Sequence, residues 1–431
     1  MTKTIPGDHE CFSEDWRRTD PDLVLYLPEE PSYWIEAVDH VLVDVTPGGD
    51  LLAIFALASQ PHGADYRVAY SRSADGGRTW SPVGVIDGPG AKPGQVSAFG
   101  FPVISRRGRI YCYYNHGRAI GDSYQTSFLR CKYSDDDGRT WIDGEVVIPY
   151  RSSANDHPDR SIGANCVVWQ RPIRDVHDRP IIGFTRWTNS YVKTARREDD
   201  FTMSRRDSQA EFMRFENIDE SPHPRDVQIT WLQDDDTAIR VPVPYEPEAS
   251  RNYSYCEEPS AVLLPDGRLF TVARTATGQI WYTVSTDDGV TWRPTEPLLN
   301  RDDGAPMLNP VSPCPIFALD DGRFLLMLQN HDGHGFGGRG PRDFHARRPQ
   351  FIAVGEFRTD AHQPIWFSQP QLLFDTQNIG VFPFYMKWLS MYASVTEHRG
   401  ERILWYADRK IFGLGRYITD ELLAPLTAPS E

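Results

Sequence analysis

Positive charge is in short supply in this sequence: 45 Lys and Arg stand against 60 Asp and Glu, a formal net charge of −15. A protein that neutralises nucleic-acid phosphates needs a basic face, so this balance argues against a nucleic-acid partner. It leaves room for a small anionic substrate, because a few converging arginines make a local positive pocket on an acidic surface. Cysteine is scarce as well. The six (Cys11, Cys112, Cys131, Cys166, Cys256, Cys314) show no CxxC or other zinc-type spacing. They read as small buried side chains or free thiols, with no disulfide framework, metal site or cofactor expected. No apolar run is long enough to span a membrane, and Met1 to Cys11 lacks the apolar core of a secretory leader. A cytoplasmic protein with no membrane partner is the expectation. Low-complexity segments are also missing.

Turn formers and aromatics are what the chain has in quantity: 34 Pro, 33 Gly and 12% Phe, Trp and Tyr in 431 residues. Frequent punctuation with large flat side chains suits many short strands better than long helices, so an all-β fold is expected. A repeat architecture commonly exceeds the usual size of one hydrophobic core, and residues 1–431 are read as a single domain.

One eight-residue pattern, Ser-x-Asp-x-Gly-x-Thr-Trp, occurs three times, at Ser73–Trp80, Ser134–Trp141 and Ser285–Trp292. Each copy follows a strand-like run and reads as a hairpin turn. The Asp carboxylate can accept backbone N–H bonds there, the Gly can take positive φ, and the Trp can pack under the loop. The pattern resembles the Asp-box, or BNR repeat, of the sialidase superfamily. In that family it is structural, so no catalytic role is assigned to it.

A weaker repeat counts the units: an apolar strand, a tight turn with Gly or Asp, and a second apolar strand. It occurs six times, starting at His40, Pro102, Cys166, Ala261, Ile316 and Ala393. A two-hairpin unit repeated around an axis is a propeller blade, so the expectation is a six-bladed β-propeller of four-stranded antiparallel blades, as in sialidases. The early strand Leu23-Val-Leu-Tyr-Leu is expected to complete the last blade. Segments near 192–224 and 331–348 interrupt the repeat and read as a surface excursion and a mobile loop over one face.

Inner strands of a propeller deliver side chains to the axis. The family resemblance implies three arginines clamping a substrate carboxylate, a Tyr–Glu nucleophile pair and an Asp acid/base, in a metal-independent reaction. Cys256-Glu257-Glu258-Pro259-Ser260 followed by Arg274 is similar to the family segment carrying the catalytic Glu and the second arginine, which implies Glu258 and Arg274. Arg347-Arg348-Pro349 falls where the third arginine is expected, implying Arg348, or Arg347. Met391-Tyr392-Ala393 matches the nucleophilic Tyr. A phenol with an ordinary pKa near 10 is a poor nucleophile until a carboxylate takes its proton, which makes the Tyr–Glu pairing informative.

The first unit departs from the family. Where Arg-Ile-Pro is expected the chain reads Val38-Asp39-His40-Val41, so the first arginine is missing. Asp39 is taken as a substrate-facing replacement and His40 as a catalytic candidate, hydrogen-bonding a hydroxyl or acting as acid/base near neutral pH, with Arg72 or Arg186 as alternative sources of the lost charge. The acid/base is left between Asp65 and His62 in the segment before the first Asp-box. Strand-end residues His116, Arg186 and Asn330, with His331 beside it, are further substrate-binding candidates, and Trp187 and Tyr385 suit stacking on a sugar ring. The resulting expectation is an exo-acting glycoside hydrolase that releases a terminal acidic sugar from a glycan. Two alternatives stay open: a polysaccharide lyase or a rhamnose- or uronate-acting glycosidase using His40 and His116 facing Tyr392, and a non-catalytic glycan-binding propeller.

Overall fold

The computed structural model describes residues 15–28, 37–59, 65–88, 95–118, 126–189, 191–192, 207–243, 253–381, 386–389 and 391–430. Short antiparallel strands dominate. After β1 (Leu23–Tyr26), strands β2 (Ala37–Val45), β3 (Leu51–Ala58), β4 (Arg67–Ser73) and β5 (Gly84–Asp87) form a four-stranded sheet. A nine-stranded sheet follows, built from β6 (Gln95–Ile104), β7 (Ile110–Arg118), β8 (Thr126–Ser134), β9 (Ile142–Ile148), β10 (Ala164–Val167), β11 (Ile173–Arg174), β12 (Pro180–Trp187), β13 (Ser208–Phe215) and β14 (Ile229–Trp231). Strands β15 (Glu257–Leu263), β16 (Leu269–Arg274), β17 (Trp281–Ser285) and β18 (Glu296–Pro297) make another sheet of four. Five strands form the next: β19 (Ile316–Ala318), β20 (Phe324–Leu328), β21 (Gln350–Phe357), β22 (Ile365–Phe367) and β23 (Gln371–Phe374). Finally β24 (Ser394–His398), β25 (Glu401–Asp408) and β26 (Phe412–Tyr417) take β1 as their outer strand, β1 pairing antiparallel with β26.

The arrangement is all-β and propeller-like, and the six hairpins read from the sequence all form. The expectation of six separate four-stranded blades is corrected. Four of the five sheets have blade size, and the fifth is continuous over nine strands. The reason is local: β10 pairs with β12 and also with β8, through Ala164 opposite Ser127 and Asn165 opposite Thr126. The stretch 192–224 differs too. It contains β13, a buried strand paired with β12 from Ile181–Arg214 through Trp187–Ser208. Its Gln209 and Glu211 are buried against charged partners, which gave a core strand the composition of a surface loop.

Apolar cores lie between consecutive units. Leu52, Ile54 and Val68 meet Ile110, Cys112 and Tyr114. Phe101, Tyr111 and Tyr113 meet Phe184, Met213 and Phe215. Ile181 and Phe212 meet Leu269 and Ala273, while Val262, Phe270 and Val272 meet Leu326 and Leu328. Leu325 and Met327 meet Leu404 and Leu414, and Ile403 and Trp405 close back onto Val41, Val43 and Phe55.

The three Ser-x-Asp turns share one hydrogen-bond pattern. In the first, Ser73 Oγ donates to Asp75 Oδ1 at 2.8 Å, Gly77 N to Ser73 Oγ at 2.8 Å, and Thr79 N and Oγ1 to the Asp75 carboxylate at 2.9 and 2.6 Å. Equivalent bonds close the turns at Asp136 and Asp287. Gly77 takes φ +88° and its Cβ position lies 2.4 Å from Trp405 Cη2, so neither the backbone nor the space admits a side chain. Each turn's Trp packs on the preceding unit: Trp80 edge-on to Trp405, Trp141 on Tyr70, and Trp292 stacked on Phe212.

Candidate functional site

Three inner strands carry the same irregularity. Register slips by one residue between Val38 and Val41 in β2, between Ala98 and Phe101 in β6, and between Glu257 and Ser260 in β15. A bulge of this kind bends the strand and re-aims its side chains. Phe99 and Glu258 sit in these bulges at φ +56° and +52°, a conformation that costs a side-chain-bearing residue about 1 kcal/mol or more. Bulge residues also stitch neighbouring units: His40 Nε2 lies 3.0 Å from Gly100 O, Val41 N donates to Tyr392 O at 3.1 Å, and Glu258 N donates to Thr185 Oγ1 at 2.7 Å.

Glu258 is thereby turned toward Tyr392. The Tyr392 hydroxyl donates to Glu258 Oε1 at 2.9 Å, and Arg274 donates to that same oxygen at 2.5 Å while lying 3.4 Å from the Tyr392 hydroxyl. Arg274 also donates to Tyr255 Oη at 3.0 Å and stands 3.6 Å from Glu257, its cross-strand partner. Glu257 Oε1 accepts from Trp187 Nε1 at 2.6 Å. Tyr392 stacks on Trp169 with ring centroids 4.2 Å apart and planes 17° from parallel, in an aromatic cluster with Tyr66, Phe99 and Trp187.

All of these groups are buried, and their electrostatics follow from that. Burial pushes the Tyr392 phenol well above its usual pKa; Glu258 adds to the shift, and Arg274 and Arg347 oppose it. Burial also lifts Glu257. Desolvation works against the Arg274 charge, but Glu258, Tyr255, Tyr392 and Glu257 outweigh it and hold the guanidinium firmly protonated. Glu258 Oε2 and Arg274 Nε have no hydrogen-bond partner among the described residues.

The second arginine of the cluster is Arg347, the alternative that the sequence left beside Arg348. Arg347 donates to Val311 O at 2.8 Å, lies over Phe344 at 4.5 Å, and has its pKa lowered by burial and then by neighbouring Arg274. Phe344 faces Arg274 too, at 5.6 Å. Arg348 turns away into a two-pronged ion pair with Asp375, 2.9 and 2.7 Å. Arg347 is the centre of a tight turn, at φ −81° and ψ 57° with Arg348 N donating to Ala346 O at 2.9 Å, and the turn sends the two guanidinium groups to different partners.

Lys410, which sequence reasoning missed, also reaches the site. Its ammonium pairs with Asp39 and lies 5.4 Å from the Tyr392 ring centroid, and Asp39 accepts the Tyr66 hydroxyl at 2.5 Å. Tyr66, Trp169, Glu257 and Tyr255 were likewise unassigned. The one available signal was Glu257, adjacent to Glu258 and two residues after Tyr255 in a strand read as facing the axis.

Several candidates do not join the cluster. His40 is fully buried with its Nε2 on Gly100 O and its ring against Phe99 and Trp169, so Trp169 and not His40 covers Tyr392. His116 bonds Ser97 Oγ at 2.9 Å, beside Asp87. Arg186 is consumed by Asp156 and Glu211, both at 2.6 Å, and Arg72 by Asp50 at 2.7 Å. Asn330 is exposed, and His331 bonds Arg348 O at 2.9 Å. Both carboxylate oxygens of Asp65 accept from Ser59 N at 3.1 Å. His62 and Tyr385 lie outside the described residues. Among the described residues no group of His, Cys, Asp and Glu could hold a metal ion, and no helix is long and apolar enough to cross a membrane.

Comparison with solved structures gives the same fold at low identity. The intramolecular trans-sialidase of Ruminococcus gnavus is 14% identical, with 91% of this chain and 96% of that chain covered and a TM-score of 0.58. A sialidase of Streptococcus pneumoniae is 11% identical, covering 92% of this chain and 69% of that one, also at 0.58. A protein of unknown function from Dyadobacter fermentans is 13% identical over 92% and 96%, with a TM-score of 0.57. No curated protein matches significantly. The profile of the BNR repeat-like domain matches residues 49–381, more than half of the sequence, and the chain belongs to the BNR repeat-like domain family.

Proposed function

We propose that this protein is a sialidase-like, exo-acting glycoside hydrolase that releases a terminal acidic sugar from a glycan, on a ring of six blades. The six-blade reading rests on the six interfacial cores, each between consecutive hairpin units, with the nine-stranded sheet taken as two blades joined at β8 and β10. The catalytic reading rests on a single relationship, the Tyr392 hydroxyl on Glu258 Oε1 with Arg274 bonded to that oxygen. A phenol whose pKa is raised by burial needs a base in contact to become a nucleophile, and Glu258 is in contact.

In this scheme Glu258 takes the phenolic proton as Tyr392 Oη bonds to the anomeric carbon. The glycosidic bond breaks, its oxygen taking a proton from an acid, and water then cleaves the glycosyl–tyrosine bond. Tyrosine nucleophiles of this type are the exception among glycosidases. Arg274 and Arg347 are the groups suited to an acidic sugar, since guanidinium forks bind carboxylates in a charge-assisted way. Asp65, already bonded to Ser59, would serve as acid only after that bond is exchanged.

The test is turnover of a panel of methylumbelliferyl glycosides that includes sialic acid, uronic acids and rhamnose. Release from an acidic glycoside, lost in Tyr392→Phe, is the expected result. An unsaturated, ultraviolet-absorbing sugar product would assign a lyase instead, and binding without turnover a glycan-binding protein.

A further inference from the structure

Lys410 is held in place by more structure than a surface lysine needs. It lies with Arg409 in the turn between β25 and β26, and the two residues take φ +57° and +49°. Two successive left-handed residues with side chains are unfavourable and persist only where surrounding contacts fix them. Here Arg409 is buried in a double contact with Asp408, at 3.0 and 2.8 Å, and bonds Asp15 at 2.7 Å. Lys410 O accepts Val38 N at 2.8 Å, tying the turn to the strand that carries the Asp39–His40 bulge. A strained turn and a bulge on different sheets therefore combine to set one buried ammonium beside one buried carboxylate.

That pair sits over the ring of Tyr392 in the proposed site. Lys410 is 5.4 Å from the Tyr392 ring centroid, and its ammonium is favoured by Glu258 and disfavoured by Arg347. Burial lowers the lysine pKa, and Asp39 is the main group that restores it, so Asp39 acts as the ammonium's resident counter-ion. A compact ammonium on a flexible stem is also the side chain best able to change partners within a small space.

We propose that Lys410 is a ligand-binding, specificity-determining residue that selects sugars carrying an anionic group, its ammonium passing from Asp39 to that group when the sugar is seated against Tyr392. The inference rests on the reading of the Tyr392 cluster as a sugar site, and adds a third cation, from the last sheet, to Arg274 and Arg347. Asp39 competes with the ligand for the same ammonium, so the two residues have opposite effects on affinity.

The experiment is calorimetric titration of the full chain with N-acetylneuraminic acid and D-glucuronic acid, with N-acetylglucosamine as the neutral control. For the acidic sugar that binds the parent, Lys410→Met is expected to weaken binding roughly tenfold or more, while Lys410→Arg keeps most of it. Asp39→Asn is expected to tighten it. A merely structural pair would move both variants in the same direction, and that result, or unchanged affinity in Lys410→Met, overturns the proposal. If Lys410→Met does not fold, the Asp39→Asn titration decides alone: tighter binding supports the proposal, and equal or weaker binding ends it. A parent protein that binds neither acid overturns the sugar-site reading itself, and the Lys410 proposal with it.

Discussion

Tyr392 and Glu258 approach from different sheets and meet at 2.9 Å, and Arg274 donates to the oxygen they share. The contact depends on the bulge in β15, because a regular strand would carry Glu258 to the opposite side from its present one. The geometry of the cluster is thus written into a backbone irregularity as much as into residue type.

Removing only the hydroxyl is the sharpest test of that contact. Tyr392→Phe keeps the stack on Trp169 and leaves Glu258 Oε1 its bond from Arg274. The fold should lose no more than about 1 kcal/mol, the usual net value of one hydrogen bond. Turnover of an acidic aryl glycoside should fall roughly a thousandfold or more, as for loss of other nucleophiles. Steady-state kinetics and a thermal melt on one preparation check both parts.

Much of this cluster was legible in the sequence as residues brought together, and the differences have physical causes. Glu258, Arg274 and Tyr392 were readable because each lies at a fixed offset from an inner hairpin, and the hairpins were readable from alternating apolar runs around Gly and Asp turns. The sequence left Arg348 and Arg347 as alternatives, because a tight turn at Arg347 decides which of the two faces the cluster and turns of this kind leave no mark on the repeat. Lys410 was invisible because it comes from a turn between the two middle strands of its sheet, whose tip reaches the cluster only through a conformation the sequence does not advertise. His116 and Arg186 stand at the expected register, but His116 is already committed to Ser97, and Arg186 to Asp156 and Glu211. The strand β13 was taken for a surface excursion because its buried Gln209 and Glu211 satisfy Arg240 and Arg186. The nine-stranded sheet hinged on two bridging pairs, a level of detail below any repeat count.

The arginines separate by function. Arg274→Ala and Arg347→Ala should each cost about 3–5 kcal/mol in kcat/KM for an acidic substrate, the scale for truncating one partner of a buried charged contact. Arg348→Ala breaks a pair with the partly exposed Asp375, and should leave kcat/KM within about threefold of the parent. Equal losses in Arg347→Ala and Arg348→Ala would return Arg348 to the site.

The Ser-x-Asp turns should affect stability and leave catalysis alone. Hydrogen bonds from Thr79, through both its hydroxyl and its N–H, hold the Asp75 carboxyl at about 2, below its ordinary 3.8. A depressed carboxylate pKa contributes stability that is complete above the unfolded value and disappears as pH falls through the folded one. Asp75→Ala should therefore melt below the parent at neutral pH, and the two curves should converge as pH drops from about 4 toward 2. Unchanged kcat/KM at neutral pH would accompany this, since the turn's bonds close on Ser73, Gly77 and Thr79.

His40 gives the same direction of acid sensitivity as Asp75, from a base and in a higher pH window. It is buried among Phe99 and Trp169, and burial lowers its pKa below the ordinary 6.5 despite the Gly100 carbonyl and Asp39, which favour the charged form. Between that lowered value and 6.5 the unfolded chain binds more protons at this position than the folded one, so stability rises with pH across the window. Acidifying from neutral pH through 6.5 should therefore cost the parent stability, with a slope of at most about 1.4 kcal/mol per pH unit from this residue. His40→Gln keeps an amide able to donate to Gly100 O and removes the titration. His116 and His331, also lowered by burial, titrate in both proteins and cancel in the difference. Melting temperatures measured across this range should show the variant losing less than the parent on acidification. Parallel curves would mean that the folded protein tolerates a charged His40, and that the ring pocket beside Trp169 admits solvent.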